Sequence, residues 1–295
     1  TATTGGITDS ATIAVTGDLT LNDVATAGIT LGTLEADANV ILTAAGNTAI
    51  TNDAALALQG TVTGTLDATA TTGDITDSDA LAVSGTSVFT LGADGTNITL
   101  DSAANAFSGA VTLKAGSSGG QTFGNIVFVD SGAIDFDSAA SADGDLFLDG
   151  GTDNTVGGTL AVTATTGGIT DSATIAVTGD LTLNDVATAG ITLDTLEADA
   201  NVILTAAGNT AITNDAALAL QGAVTGTLAA TASTGGITDS SNLSATGNVT
   251  LNDAATAGIT LGTLEADANV IITAAGNTAI TNDAALALQG AVTGT

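Results

Sequence analysis

Residues 1–65 recur at 163–227 with 63 of 65 positions identical, Gly32 against Asp194 and Thr61 against Ala223 being the exceptions. A third copy, 231–295, keeps 54 of 65 positions of the second. Several of its changes swap one aliphatic residue for another (Ile175/Leu243, Leu181/Val249, Leu204/Ile272), as packed positions do. A divergent copy opens at residue 69, where Thr71 to Ser78 repeats Thr3 to Ser10 with one change, and runs to about 162. The chain therefore reads as modules 1–68, 69–162, 163–230 and 231–295 of one continuous array. Such units bury their apolar residues by stacking on one another rather than around one globular centre.

A shorter period lies inside the modules. One large apolar residue recurs at Ile7, Ile29, Ile50, Ile75, Ile98, Ile126, Phe147, Ile169, Ile191, Ile212, Ile237, Ile259 and Ile280, at steps near 22 residues. Around these positions apolar and polar residues alternate, as in Ile13/Val15, Leu19/Leu21 and Val40/Leu42, which is the period of a strand with one face inward. Gly17-Asp18, Asn22-Asp23, Ala45-Gly46-Asn47 and Asn52-Asp53 supply turn residues between the runs. The expected fold is all-β, a right-handed parallel β-helix of about 13 coils of about 22 residues. Each coil is expected to carry three short strands, with the thirteen residues stacked inward as one ladder. Residues 1 and 295 fall in mid-pattern without a polar cap, so the array is expected to continue head-to-tail, covalently or onto other copies of itself.

Composition narrows the function. With 31 acidic residues against one base, Lys114, the net charge of −30 leaves nothing to neutralise phosphates, so nucleic acid and anionic membranes are not expected partners. No apolar run approaches membrane-spanning length, so membrane insertion is not expected either. The chain has no Cys or His, and Lys114 is its only base, which removes nucleophile–base pairs and most acid–base chemistry. It also lacks Trp and Tyr to hold a sugar between two carboxylates. An enzyme is not expected.

The runs Gly17-Asp18-Leu19-Thr20-Leu21, Asn39-Val40-Ile41-Leu42-Thr43-Ala44 and Asn105 to Leu113 resemble the filamentous-haemagglutinin-like passengers of two-partner secretion and related giant repetitive surface proteins. The resemblance covers essentially the whole chain and implies a right-handed parallel β-helix, export across the outer membrane and adhesive or biofilm roles. The secretion-directing N-terminal domain of that family is not in this sequence. The expected role is structural: a segment of a long adhesin stalk or surface filament, extracellular and on a bacterial cell surface. Other copies of the chain, and cell-surface or matrix ligands, are its expected partners.

Three alternatives rest on particular residues. Asp143, Asp145, Asp149 and Asp153 cluster among glycines and are candidate Ca²⁺ ligands, but Leu148 and Asn154 break the EF-hand pattern. Solvated turn acids are the simpler reading, and no cofactor is otherwise expected. All six Phe fall between 89 and 147, beside Lys114 and a glycine-rich run read as a projecting loop over 114–121. Phe107, Lys114 and Phe123 are the candidate contact patch of a receptor- or glycan-binding module, weighed against Phe simply filling a wider core. Thr follows eleven of the thirteen ladder residues, but the second Thr rank of a flat ice-binding face is missing, so an ice-binding solenoid ranks below both.

Overall fold

The computed structural model describes residues 1–115, 122–150 and 154–295. The chain divides into two units, Thr1–Gly157 and Gly158–Thr295. Each is a parallel β-solenoid, and no helix occurs among the described residues.

The first unit contains β1 (Ile7–Thr8), β2 (Ile13–Val15), β3 (Leu19–Asp23), β4 (Ile29–Ala36), β5 (Asn39–Ala44), β6 (Thr48–Asn52), β7 (Leu56–Val62) and β8 (Leu66–Ala70). It continues with β9 (Ile75–Val83), β10 (Ser87–Leu91), β11 (Ile98–Leu100), β12 (Ala106–Phe107), β13 (Val111–Ala115), β14 (Ile126–Asp130), β15 (Ile134–Phe136), β16 (Asp145–Asp149) and β17 (Thr155–Val156). The second unit contains β18 (Leu160–Ala164), β19 (Ile169–Asp171), β20 (Ile175–Val177), β21 (Leu181–Asp185), β22 (Ile191–Ala198), β23 (Asn201–Ala206), β24 (Thr210–Asn214) and β25 (Leu218–Val224). It ends with β26 (Leu228–Ala232), β27 (Ile237–Ala245), β28 (Val249–Asp253), β29 (Ile259–Ala266), β30 (Asn269–Ala274), β31 (Thr278–Asn282) and β32 (Ala287–Val292).

Outside the divergent module, strand positions alternate between two sheets, so a coil there has two strands, not the three expected. In the divergent module β11 and β12 share one sheet and β15, β16 and β17 the other. In the second unit β20, β22, β24, β26, β28, β30 and β32 form one sheet and β21, β23, β25, β27, β29 and β31 the other. Leu181 lies against Val202 and Val202 against Leu220, coil steps of 21 and 18 residues. Coils this short, with strands of about five residues, leave room for two strands and two turns. Along each strand, alternate residues point inward. Leu181, Leu183, Val202, Leu204 and Leu220 are buried, and the residues between them face out.

The 68-residue module holds seven strand positions, since β19 and β20 both lie along β22 and count as one interrupted strand. Seven is odd, so the next module begins in the opposite sheet. In sequence β27 repeats β19 and β20, yet it pairs with β25 and β29 in the other sheet.

The single ladder is corrected accordingly. Ile7 lies against Ile29, but the next residue in that column is Thr48, and Ile50 lies against Leu31 and Ala68. Ile75, Ile98 and Ile126 form a column of their own in the other sheet of the first unit. In the second unit Ile191 is followed by Thr210, and Ile212 lies against Leu193 and Ala230. Ile237 and Ile259 stack in the opposite sheet from Ile169 and Ile191, and Ile280 lies against Leu261. The columns break because the coil step shortens to 19 residues where β4, β22 and β29 meet the next strand in their sheet. Ten of the thirteen are buried. Ile7 and Ile280 are half-buried, and Phe147 is half-buried between the inward Leu146 and Leu148.

Polar side chains brace the interior. Asn52, wholly buried at the end of β6, accepts from Ala36 N (2.8 Å) and donates to Ala36 O (3.1 Å) and Ala55 O (2.6 Å). Asn214 repeats this bracket with Ala198 and Ala217, and Asn282 repeats the Ala266 half of it. Each thereby satisfies backbone groups where a strand leaves its ladder.

Five of the six Phe residues, all but Phe147, sit in the core of the divergent module. Phe89 and Phe107 meet edge-to-face at 6.0 Å, and Phe107 stacks on Phe128 at 5.4 Å. The step from Ile98 to Ile126 is 28 residues, and the rings fill this larger coil.

Candidate functional site

A concavity recurs once in each 68-residue module. In the first module it begins at a β-bulge, where the pairing of β4 with β6 skips from Leu31 to Leu34 and releases Gly32 and Thr33 outward. Asp9 of the preceding coil fixes the bulge, accepting from Gly32 N (3.1 Å), Thr33 N (2.7 Å) and Thr33 Oγ1 (2.8 Å). These hydrogen bonds, led by that from Gly32, hold the Asp9 carboxyl below the usual carboxylate range. Asp171 makes the same clamp on Asp194 and Thr195, and Asp239 on Gly262 and Thr263. At Asp239 burial pushes upward, but the bonds from Gly262 and Thr263 together outweigh it, and the carboxyl stays below its usual range.

Beside each clamp opens a groove of about 240 Å³, walled by Thr12, Thr33, Glu35, Thr51, Asp53 and Thr71 in the first module. The second unit has one of equal size at Glu197 and Asp215, and another of about 220 Å³ at Glu265 and Asp283. The walls offer carboxylates and hydroxyls, with no base, thiol, imidazole or aromatic ring. Such a groove can be solvated or attract cations, but it has no nucleophile–base pair. No group of three or more metal-ligating acids comes together among the described residues.

The structure disperses the sequence candidates. Asp145 turns its carboxylate onto Ser141 N (2.8 Å), Ser141 Oγ (3.1 Å) and Ala142 N (2.5 Å). Asp149 pairs with Lys114 at 3.0 Å, Asp143 is exposed, and Asp153 lies outside the described residues. Among the described residues, Asp143, Asp145 and Asp149 are not gathered into a group of three metal-ligating side chains. Phe107 and Phe123 are buried, only 4% and 2% exposed, so the contact patch is corrected to a core cluster, with Lys114 alone at the surface. Positions 116–121 of the expected loop lie outside the described residues.

Sequence reasoning missed two features. One is the outward column Thr51–Thr69–Thr90–Lys114 on the first unit. The other is the set of buried corner acids, Asp23, Asp185 and Asp253, each 0–1% exposed. Their signal was present, because Leu19-x-Leu21-x-Asp23 places Asp23 in the inward phase of its strand.

These features define a repetitive parallel β-solenoid, braced by buried amides and clamped between coils by surface carboxylates. The chain belongs to the family described as "Repeats of unknown function (DUF5649)", which matches residues 45–114, 123–207 and 207–273 and so includes the divergent module. Comparison with curated proteins and with solved structures finds no match.

Proposed function

We propose that the chain is a structural segment of a long adhesin stalk or filament on a bacterial surface, continued head-to-tail by further coils. The observation that carries this reading is that each coil takes its core from its neighbours: Leu218, Leu220 and Val224 of β25 are buried at 0–2% exposure beneath β27. Repeating coils of this kind build an elongated array rather than a closed globule. Placement outside the cell is supported by the absence of cysteine, the strong acidity and the resemblance to secreted repetitive adhesins.

The alternative of a receptor- or glycan-binding module loses its named aromatic contacts, since Phe107 and Phe123 turn inward. The ice-binding alternative needs two outward Thr ranks. On β24, β26 and β28 the outward pairs are Ala211/Thr213, Ala229/Thr231 and Thr250/Asn252, so the second rank is mixed.

Electron microscopy of native material labelled by antibody to this chain tests the reading. Label along cell-attached fibres is expected, and label confined to the cell interior would overturn it.

A further inference from the structure

The corner acids show what the solenoid interior requires. Asp23 ends β3, points inward and is 1% exposed. One oxygen, Oδ2, accepts from Gly28 N at 2.7 Å. That bond depends on the turn folding back at Gly28, whose φ of +91° and overlap of any Cβ with the Asn47 carbonyl oxygen exclude other residues. The other oxygen, Oδ1, is buried and has no hydrogen-bond partner among the described residues. The chain's single base cannot help, because Lys114 is paired with Asp149.

Directly beneath, in the next coil, Asp23 lies against Ala44 and Ile29 against Thr48. Ala44 is small and leaves space under the carboxylate. Thr48 is 0% exposed, and its Oγ1 is also buried without a partner among the described residues. The following coil closes the corner with Val62 and Leu66. An orphaned carboxylate oxygen and an orphaned hydroxyl therefore belong to the same internal corner, one coil apart, over an apolar floor.

The second unit repeats the arrangement. Asp185 accepts from Gly190 N at 2.8 Å, lies over Ala206, and has Oδ1 unpartnered. Thr210 lies under Ile191 with Oγ1 unpartnered, and Val224 and Leu228 form the floor. At Asp253, by contrast, Oδ1 accepts from Ala255 N at 3.1 Å and Oδ2 from Gly258 N at 2.7 Å, so its carboxylate is already satisfied.

We propose that the corners at Asp23/Thr48 and Asp185/Thr210 are internal water sites. Each holds one ordered water that donates to the aspartate Oδ1 and bonds the threonine Oγ1 of the next coil. A buried polar atom is costly unless hydrogen-bonded, and a buried carboxylate more so. One water satisfies both orphans, and two to four polar partners is the usual complement of a buried water. A hard cation fits less well, since Ca²⁺ takes six to eight oxygens and these corners offer two side-chain oxygens. The water would tie successive coils together inside the core, as the Asp9 and Asp171 clamps do on the surface.

A crystal structure of the 295-residue chain, at a resolution that shows ordered solvent, tests the assignment directly. A peak about 2.6–3.2 Å from both oxygens is expected in each corner. Empty corners, a direct Asp–Thr hydrogen bond, or a peak ringed by five or more oxygens would each overturn it. The variants Thr48→Val and Thr210→Val give an independent sign. If water bridges the pair, loss of the hydroxyl orphans the carboxylate, and the urea midpoint falls. If the hydroxyl is merely unsatisfied, its removal relieves the structure and the midpoint rises. An unchanged or higher midpoint overturns the proposal, and where a variant does not fold, the wild-type crystal structure decides.

Discussion

Replacing Asn214 with alanine tests whether the solenoid is braced from within. The side chain is wholly buried and makes three hydrogen bonds: from Ala198 N (2.7 Å), to Ala198 O (3.1 Å) and to Ala217 O (2.7 Å). Ala217 is exposed, so water replaces its lost partner. Ala198 is only 3% exposed, so its N–H and C=O are both left unsatisfied. At about 1–3 kcal/mol for each of the two buried orphans, Asn214→Ala should cost roughly 2–6 kcal/mol. Asn282→Ala is the internal control. Asn282 makes the same two bonds to Ala266, at 2.8 and 3.2 Å, but is half-buried, so water can enter in its place. Its loss should stay below about 1 kcal/mol. Urea titration measures both, and hydrogen exchange at the Ala198 amide reports the local opening. Equal losses in the two variants, or a loss under about 1 kcal/mol at Asn214, would refute the bracing argument.

Other substitutions separate backbone geometry from packing. Gly222 has a φ of +111°, and a Cβ there would overlap the Leu204 carbonyl oxygen, whereas Gly32 has open space around it. Gly222→Ala should therefore cost about 2 kcal/mol or more, and Gly32→Ala within about 0.5 kcal/mol, by denaturant titration. Phe107→Ala removes a ring held between Phe89 and Phe128 and should cost about 3–5 kcal/mol by the same assay. Acidification should first raise and then lower the thermal midpoint. Asp130 is pushed above the usual 3.8 by burial, against hydrogen bonds from Phe107 and Ser131, so its cost at neutral pH disappears as it takes up a proton above 3.8. Asp9, Asp94 and Asp239 lie below 3.8 in the fold, so their stabilisation persists above that value and is lost as pH falls through their folded values. A midpoint that falls monotonically from neutral pH, or an unchanged profile in Asp130→Asn, would contradict this ordering.

The fold class was legible because repetition and alternation are both written in residue types. Leu181-x-Leu183 and Val202-x-Leu204 can only be strands with one face inward, and near-identical copies can only be coils. The number of strands per coil was not legible in the same way. An apolar pair at i and i+2 looks the same in either sheet, so the recurring Ile suggested one column where the structure has several on two sheets. The Thr residues that follow eleven of these positions break column with them, since Thr30 lies against Thr8 on one side but against Ala49 on the other. Phe107 and Phe123 looked like a patch because they stand out in composition, but large rings belong by default in the widest coil. The corner acids were overlooked because acidic residues were read as turn surface. The strand phase of Asp23 already pointed inward, and counting phase before chemistry would have found it.

The odd number of strand positions per module has consequences for what the surface can display. A feature encoded once per module appears on one sheet in one module and on the opposite sheet in the next. In the second unit the groove at Glu197 and Asp215 borders β22 and β24, and the groove at Glu265 and Asp283 borders β29 and β31 of the other sheet. With an even number, every groove and every outward Thr would line one face, giving a one-sided array suited to a flat partner. The observed parity instead places equivalent acidic grooves on two faces. The interior follows the same rule, because β22 and β29 make the same bulged step to the next strand although they lie in opposite sheets. Within the second unit, therefore, the equivalent grooves do not line up on one face.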